Sequence, residues 1–128
     1  MKATPPPGSA DDIVRFLASV PLFEALSADG VARIAEIVVP RSFAAGDVIF
    51  REGDPGDSCY LVRTGRARAM RNSKDGRRIT LANFRPGDIF GELALFENET
   101  RSATVEATST VRLLAILRGD MRRLMRTH

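Results

Sequence analysis

The chain has 128 residues, enough for one domain around a single core but too few for a sensor and an independently folded output domain together. Its 19 Lys and Arg against 16 Asp and Glu leave a net charge of +3, too mild to indicate a nucleic-acid partner. The single cysteine, Cys59, permits no internal disulfide and no cysteine-held zinc or iron–sulfur centre. The single histidine, His128, leaves no histidine-held metal site and no Ser-His-Asp or Cys-His nucleophile. No metal is therefore expected, and no membrane partner either, because no run of 18 apolar residues and no signal-like segment occurs. The expected location is cytoplasmic.

In chain order, Met1 to Ala10 carries Pro5-Pro6-Pro7-Gly8-Ser9 and reads as a disordered tail, since it can neither sustain a helix nor bury apolar area. From Asp11 to Val38 apolar residues recur at helical spacing, Ile13, Phe16, Leu17 and Val20 in one group and Val31, Ile34, Ala35 and Val38 in a second. Pro21 separates the two helices, and Ser27 is placed to cap the second. Between them, Leu22, Phe23 and Leu26 read as a hydrophobic clip onto the body of the domain. After Pro40 the texture changes to short strand-like runs broken by Gly, Pro and Asp, the pattern of an all-β sandwich or barrel. The runs are Val48 to Arg51, Cys59 to Val62, Ala67 to Arg71, Ile79 to Phe84, Ala103 to Thr108 and Val111 to Leu117. Ile79 and Leu81 alternate with Thr80 and Ala82 as one face in and one face out should. From Arg118 to His128 a helical pattern returns, with Met121, Leu124 and Met125 apolar and Arg122, Arg123 and Arg126 outward. The triplet Arg118-Gly119-Asp120 matches a cell-adhesion motif by chance and reads as the start of this helix, with Asp120 near the N-cap.

The segment that carries chemistry is Phe90-Gly91-Glu92-Leu93-Ala94-Leu95-Phe96 followed by Arg101-Ser102-Ala103-Thr104-Val105. Gly91 lets the backbone come close to a ligand, and Glu92 to Leu95 can form one helical turn with free N–H groups. Arg101 supplies a planar, permanently charged fork for phosphate oxygens, and Ser102 a hydroxyl. Glu92 would be repelled by a phosphate unless it accepts hydrogen bonds from another part of the ligand, such as a sugar hydroxyl.

These residues resemble the phosphate-binding cassette of cyclic-nucleotide-binding domains, and the likeness extends from about Pro21 to Met125. Gly46, Gly53-Asp54-Pro55-Gly56-Asp57, Tyr60, Gly65, Asp75-Gly76 and Gly87-Asp88 stand where that family has them. The Arg-Ser-Ala-Thr-Val ending is most similar to the N-terminal sensory domain of Crp/Fnr-family bacterial transcription regulators. The resemblance implies a mainly β fold with flanking helices, a double-stranded β-helix or jelly roll. Helices fall at 11–38, the roll at 40–117 with a short cassette helix, and the start of a C-terminal helix at 118–128. It also implies a cyclic nucleotide as effector, cyclic AMP first and cyclic GMP second. Glu92 then takes the ribose 2′-hydroxyl, and Arg101 and Ser102 take the cyclic phosphate. Gly91, Leu93, Ala94 and Ala103 complete that end, while Ala69 and Leu81 wall the base. Many members place Thr after the cassette arginine to favour guanine, so Ser102 favours adenine; many also carry Pro where this chain has Thr100. In Crp/Fnr-like proteins a long dimerising helix and a helix-turn-helix follow. Neither occurs in these residues, so specific DNA binding and a homodimer are expected only of a longer chain.

Other readings are weaker. A cupin-like enzyme needs histidines that this chain lacks. A two-carboxylate hydrolase built from Glu92 with Glu97 or Glu99 has the right residue types, but Arg101 beside them argues for holding phosphate, so no catalysis is expected. A degenerate domain used only for protein contacts would be marked by loss of the Glu or Arg, and both are present. The basic run Arg63, Arg66, Arg68, Arg71, Lys74, Arg77, Arg78 reads as a solvated strand face, because no aromatic residues interleave to stack bases. Cys59 reads as a small buried apolar residue.

Overall fold

The computed structural model describes residues 9–95 and 100–127. Part of the expected tail, Met1 to Gly8, lies outside them, as do Glu97, Glu99 and His128. The helical region starts earlier than expected: Ser9 caps α1 (Ala10–Ser19), its hydroxyl accepting from the Asp12 N–H at 3.2 Å. Pro21 opens a 3-10 turn (Pro21–Phe23), and Ser27 caps α2 (Ala28–Ile37) by accepting from the Gly30 N–H at 3.1 Å. The hydrophobic clip is narrower than the sequence suggested. Phe23 is buried, but Leu22 and Leu26 are 59% and 41% exposed, because so short a turn presents only one side to the body.

Eight strands follow among the described residues: β1 (Val39–Phe43), β2 (Val48–Phe50), β3 (Ser58–Thr64), β4 (Ala67–Asn72), β5 (Arg78–Phe84), β6 (Ile89–Phe90), β7 (Thr104–Ala107) and β8 (Val111–Leu117). They form two antiparallel four-stranded sheets, ordered β1-β8-β3-β6 and β2-β7-β4-β5, packed as a jelly roll. α3 (Arg118–Thr127) leaves directly from β8, so Asp120 sits inside the first turn and not at its cap, paired with Arg123. Among the described residues no helix is long and apolar enough to cross a membrane.

The first sheet is covered on both faces, which explains why β8 reads Val-Arg-Leu-Leu-Ala-Ile-Leu. Leu114 and Ile116 pack with Cys59, Leu61, the helical residues Leu17 and Val31, and Val20 just past α1. Val111 and Leu113 face the other way, toward Val62, Ala69, Phe90 and Val105 between the sheets. The β3–β4 turn is pressed against β8: a Cβ at Gly65 would lie 2.1 Å from the Thr110 carbonyl oxygen, so no side chain fits.

β5 shows the opposite face from the one expected. Ala82 and Phe84 pack toward the inter-sheet core, whereas Ile79 and Leu81 are 48% and 51% exposed. The register with β4 pairs Ala69 with Ala82 and Met70 with Thr80, so Leu81 is the extra residue of a bulge. The basic run is laced with carboxylates. Arg68 and Arg78 both reach Glu106, at 2.6 and 3.6 Å, Arg63 pairs with Asp12 on α1, and Arg77 lies 3.5 Å from Asp75.

Candidate functional site

A cavity of about 240 Å³ opens between the sheets beside the Gly91 turn, and its wall includes Gly91, Glu92, Leu93, Ala94, Arg101, Ser102, Ala103 and Ala69. Eight of the sequence-derived contact residues therefore converge on one space. Leu81 is not part of that wall: it alternates with the inward Ala82 and is exposed. Phe50, Phe84, Ile89, Phe90 and Val105 supply the apolar wall instead. Phe90 organises these rings, with its centroid 4.8 Å from Phe84, 5.3 Å from Tyr60 and 5.9 Å from Phe50.

Arg101 is held by its backbone before its side chain makes any contact. Its N–H donates to the Asp54 carbonyl and its own carbonyl accepts from the Gly53 N–H, both at 2.8 Å. The Gly53–Pro55 loop thus grips the chain where it enters the cavity. The side chain is 7% exposed. Its Nη2 donates to the Ser58 carbonyl at 2.7 Å, Nη1 reaches the Gly91 carbonyl at 3.5 Å, and the guanidinium lies 4.1 Å from the Phe50 ring centroid. No carboxylate of the described residues lies within 4.0 Å of it, and its buried Nε has no hydrogen-bond partner. Burial pulls its pKa below the usual arginine value, with partial relief from Tyr60, Asp57, Cys59 and Asp54. A buried cation with a donor left over is an anion receptor.

Gly91 is required next to that cation. Its φ is +74°, and a Cβ there would lie 2.7 Å from Arg101 Nη1. The turn Glu92–Leu95 is a 3-10 helix that buries Ala94 and Leu95 and leaves Glu92 and Leu93 exposed at the cavity mouth. Behind it, Cys59 is fully buried, and burial followed by the Glu92 charge pushes its thiol up to about 12. Cys59 is thus packing, as its sequence context indicated.

Two arginines outside the sequence-derived set bear on the site. Arg118 Nη1 donates to the Gly56 carbonyl at 3.1 Å and the Ala94 carbonyl at 3.4 Å, tying α3 to the cassette turn. Arg71 donates to the Ser102 carbonyl. Both depend on strand pairing between distant segments and left no local signal. The aromatic wall did leave one in part, since Phe50 ends the apolar run Val48-Ile49-Phe50. Among the described residues, no group of three or more His, Cys, Asp or Glu could hold a metal.

A jelly roll whose inter-sheet cavity presents a buried arginine with an unbonded Nε beside a glycine turn is suited to binding an anion. The family model of the cyclic nucleotide-binding domain matches residues 40–128, and the chain belongs to that family. It is 36% identical over 110 residues to a cAMP-dependent protein kinase regulatory subunit of Hypocrea atroviridis, covering 86% of this chain and 23% of that protein. It is 37% identical over 106 residues to the cyclic AMP receptor protein of Thermus thermophilus, covering 83% of this chain and 49% of that protein. The chain thus spans about half or less of these curated relatives. The N-terminal domain of a transcriptional regulator from Streptomyces coelicolor A3(2) superposes with a TM-score of 0.83 at 38% identity, covering 88% of this chain and 81% of that one.

Proposed function

We propose that this chain is a regulatory module whose effector is a 3′,5′-cyclic nucleotide, cyclic AMP before cyclic GMP, and that it does no chemistry on that ligand. The carrying observation is Arg101, buried to 7% exposure with a free Nε and no carboxylate partner among the described residues. Keeping a charge so placed has a cost that an entering phosphate offsets. In this reading Arg101, Ser102, Ala103 and the backbone at Gly91 take the cyclic phosphate. Glu92 takes the ribose 2′-hydroxyl, Leu93 and Ala94 shape the turn, and the base lies along Ala69, Phe84 and Val105. Two relatives with different outputs, a kinase regulator and a receptor protein, both carry cyclic AMP in their names, which supports the nucleotide independently of the output.

The proposed output is transcriptional, as the sensory part of a Crp/Fnr-like regulator, a reading supported by the likeness to the Streptomyces N-terminal domain. In that reading these residues sense the nucleotide, while DNA selection and dimerisation lie elsewhere in the polypeptide. Neutralising Arg101 would favour one arrangement of the Glu92–Leu95 turn, and Arg118, bonded to the Ala94 carbonyl, would pass that bias to α3. The test is incubation with cyclic AMP followed by recovery of the ligand. Saturable binding with the ligand recovered intact is the expected result; conversion to 5′-AMP would make the site catalytic and overturn the reading.

A further inference from the structure

The ladder between β4 and β7 stops at the pair Met70 and Thr104, before Ala103 and Ser102 are reached. Beyond it a side chain continues what the backbone no longer does. Arg71 donates from Nη2 at 2.7 Å and from Nε at 3.2 Å to a single acceptor, the Ser102 carbonyl. The same guanidinium lies 3.6 Å from Glu52, whose backbone N–H donates to the Thr104 hydroxyl at 3.0 Å. Arg71 thus joins the ends of β2, β4 and β7 at one point. It does so from outside the cavity: Ser102 and Ala103 line the cavity, whereas Arg71 lines a separate groove with Arg51, Glu52, Arg78 and Thr104.

The Ser102 carbonyl and the Ala103 N–H belong to one trans peptide plane and point in opposite directions. Fixing the carbonyl toward Arg71 therefore fixes the Ala103 N–H away from Arg71. No turn or loop hydrogen bond takes that N–H among the described residues. We propose that Arg71 is a positioning residue for anion binding: by holding the Ser102 carbonyl it aims the Ala103 N–H, together with Ser102, at the phosphate end of the cavity. The inference rests on the cyclic-nucleotide reading above. A guanidinium suits the task because its planar fork places two N–H groups on one oxygen, which an ammonium cannot do. The Glu52 pair adds little energy of its own, since the side chains are 51% and 47% exposed, but it keeps the fork in place.

The test uses the whole chain with Arg71→Met and Arg71→Lys, titrated with cyclic AMP, its 2′-deoxy analogue and its two phosphorothioate diastereomers. Sulfur accepts hydrogen bonds poorly, so the ratio between the diastereomers reads the donors on each phosphate oxygen. Arg71→Met should weaken cyclic AMP about five- to tenfold and compress the diastereomer ratio, with the 2′-deoxy ratio and the melting temperature unchanged. Arg71→Lys should recover part of both losses. Equal changes in the two ratios, or none, would make Arg71 a general strut and overturn the proposal alone. A wild-type chain that binds no cyclic nucleotide would overturn the functional reading and this inference with it.

Discussion

Replacing Arg101 by Met separates a residue kept for its ligand from one kept for the fold. The substitution removes a charge-assisted bond to the Ser58 carbonyl at 2.7 Å and the stacking on Phe50 at 4.1 Å. Those contacts are worth about 1.5–3 and about 0.5–2 kcal/mol. Against them stands the desolvation of a cation that no described carboxylate neutralises and whose Nε is unbonded, also several kcal/mol in total. The terms nearly cancel, and Met preserves the apolar stem. The unliganded variant should therefore stay within about 1 kcal/mol of wild type, a melting shift of no more than about 8 °C, whereas most large-to-small core changes cost about 2–5 kcal/mol. Binding should fall far more. Losing the charged partner of a desolvated anion costs about 2–5 kcal/mol, at least about thirtyfold in Kd. Thermal melts without ligand and calorimetric titration with cyclic AMP measure the two effects separately. Loss of more than about 3 kcal/mol of stability with affinity retained would make the guanidinium a structural strut and not an anion site.

Gly91→Ala puts a Cβ 2.7 Å from Arg101 Nη1 at a φ of +74°, so affinity should fall by an order of magnitude or more. Gly46→Ala, at φ +89° with open space around it, should lose stability only; equal affinity losses in the two would point to backbone strain instead of the crowded fork. The Cys59 thiol, raised by burial from 9.0 to about 12, keeps its proton in the folded state after the unfolded chain has lost it. Its contribution to stability is complete below pH 9 and is lost as pH climbs toward 12, at up to about 1.4 kcal/mol per unit. Chemical denaturation across that range should show the slope diminish in Cys59→Ala, and a thiol reagent should label wild type only as fast as it opens. Glu92→Gln should weaken cyclic AMP more than 2′-deoxy cyclic AMP; zero coupling in that protein–ligand cycle would remove the ribose role from Glu92.

The phosphate end of the site was legible because its residues are close in the chain: Gly91 and Glu92 open one turn, and Arg101 to Ala103 follow within a dozen positions. Glycine, carboxylate and arginine at that spacing carry their chemistry locally. The apolar wall depends instead on which strands pair. Leu81 was placed on it by resemblance alone, but in β5 Ala82 and Phe84 face the inter-sheet core while Leu81, at a bulge, is exposed. β1 and β6 escaped notice for related reasons, one an edge strand interrupted by Pro40 and the other only two residues long. Arg71 read as part of a solvated strand face, and Arg118 only as the start of a helix. Only the fold brings them to backbone carbonyls of the cassette.

Whether the cavity is built for a cyclic phosphate on a ribose is decided by paired calorimetric titrations of the wild-type chain with cyclic AMP and with 5′-AMP. A 5′-monophosphate carries close to two negative charges and a free 3′-hydroxyl, whereas the cyclic ester presents one compact charge to the single guanidinium of Arg101. Cyclic AMP should bind saturably at one site per chain, with 5′-AMP weaker by at least about tenfold. Equal affinities for the two, or no heat from either at millimolar ligand, would contradict it.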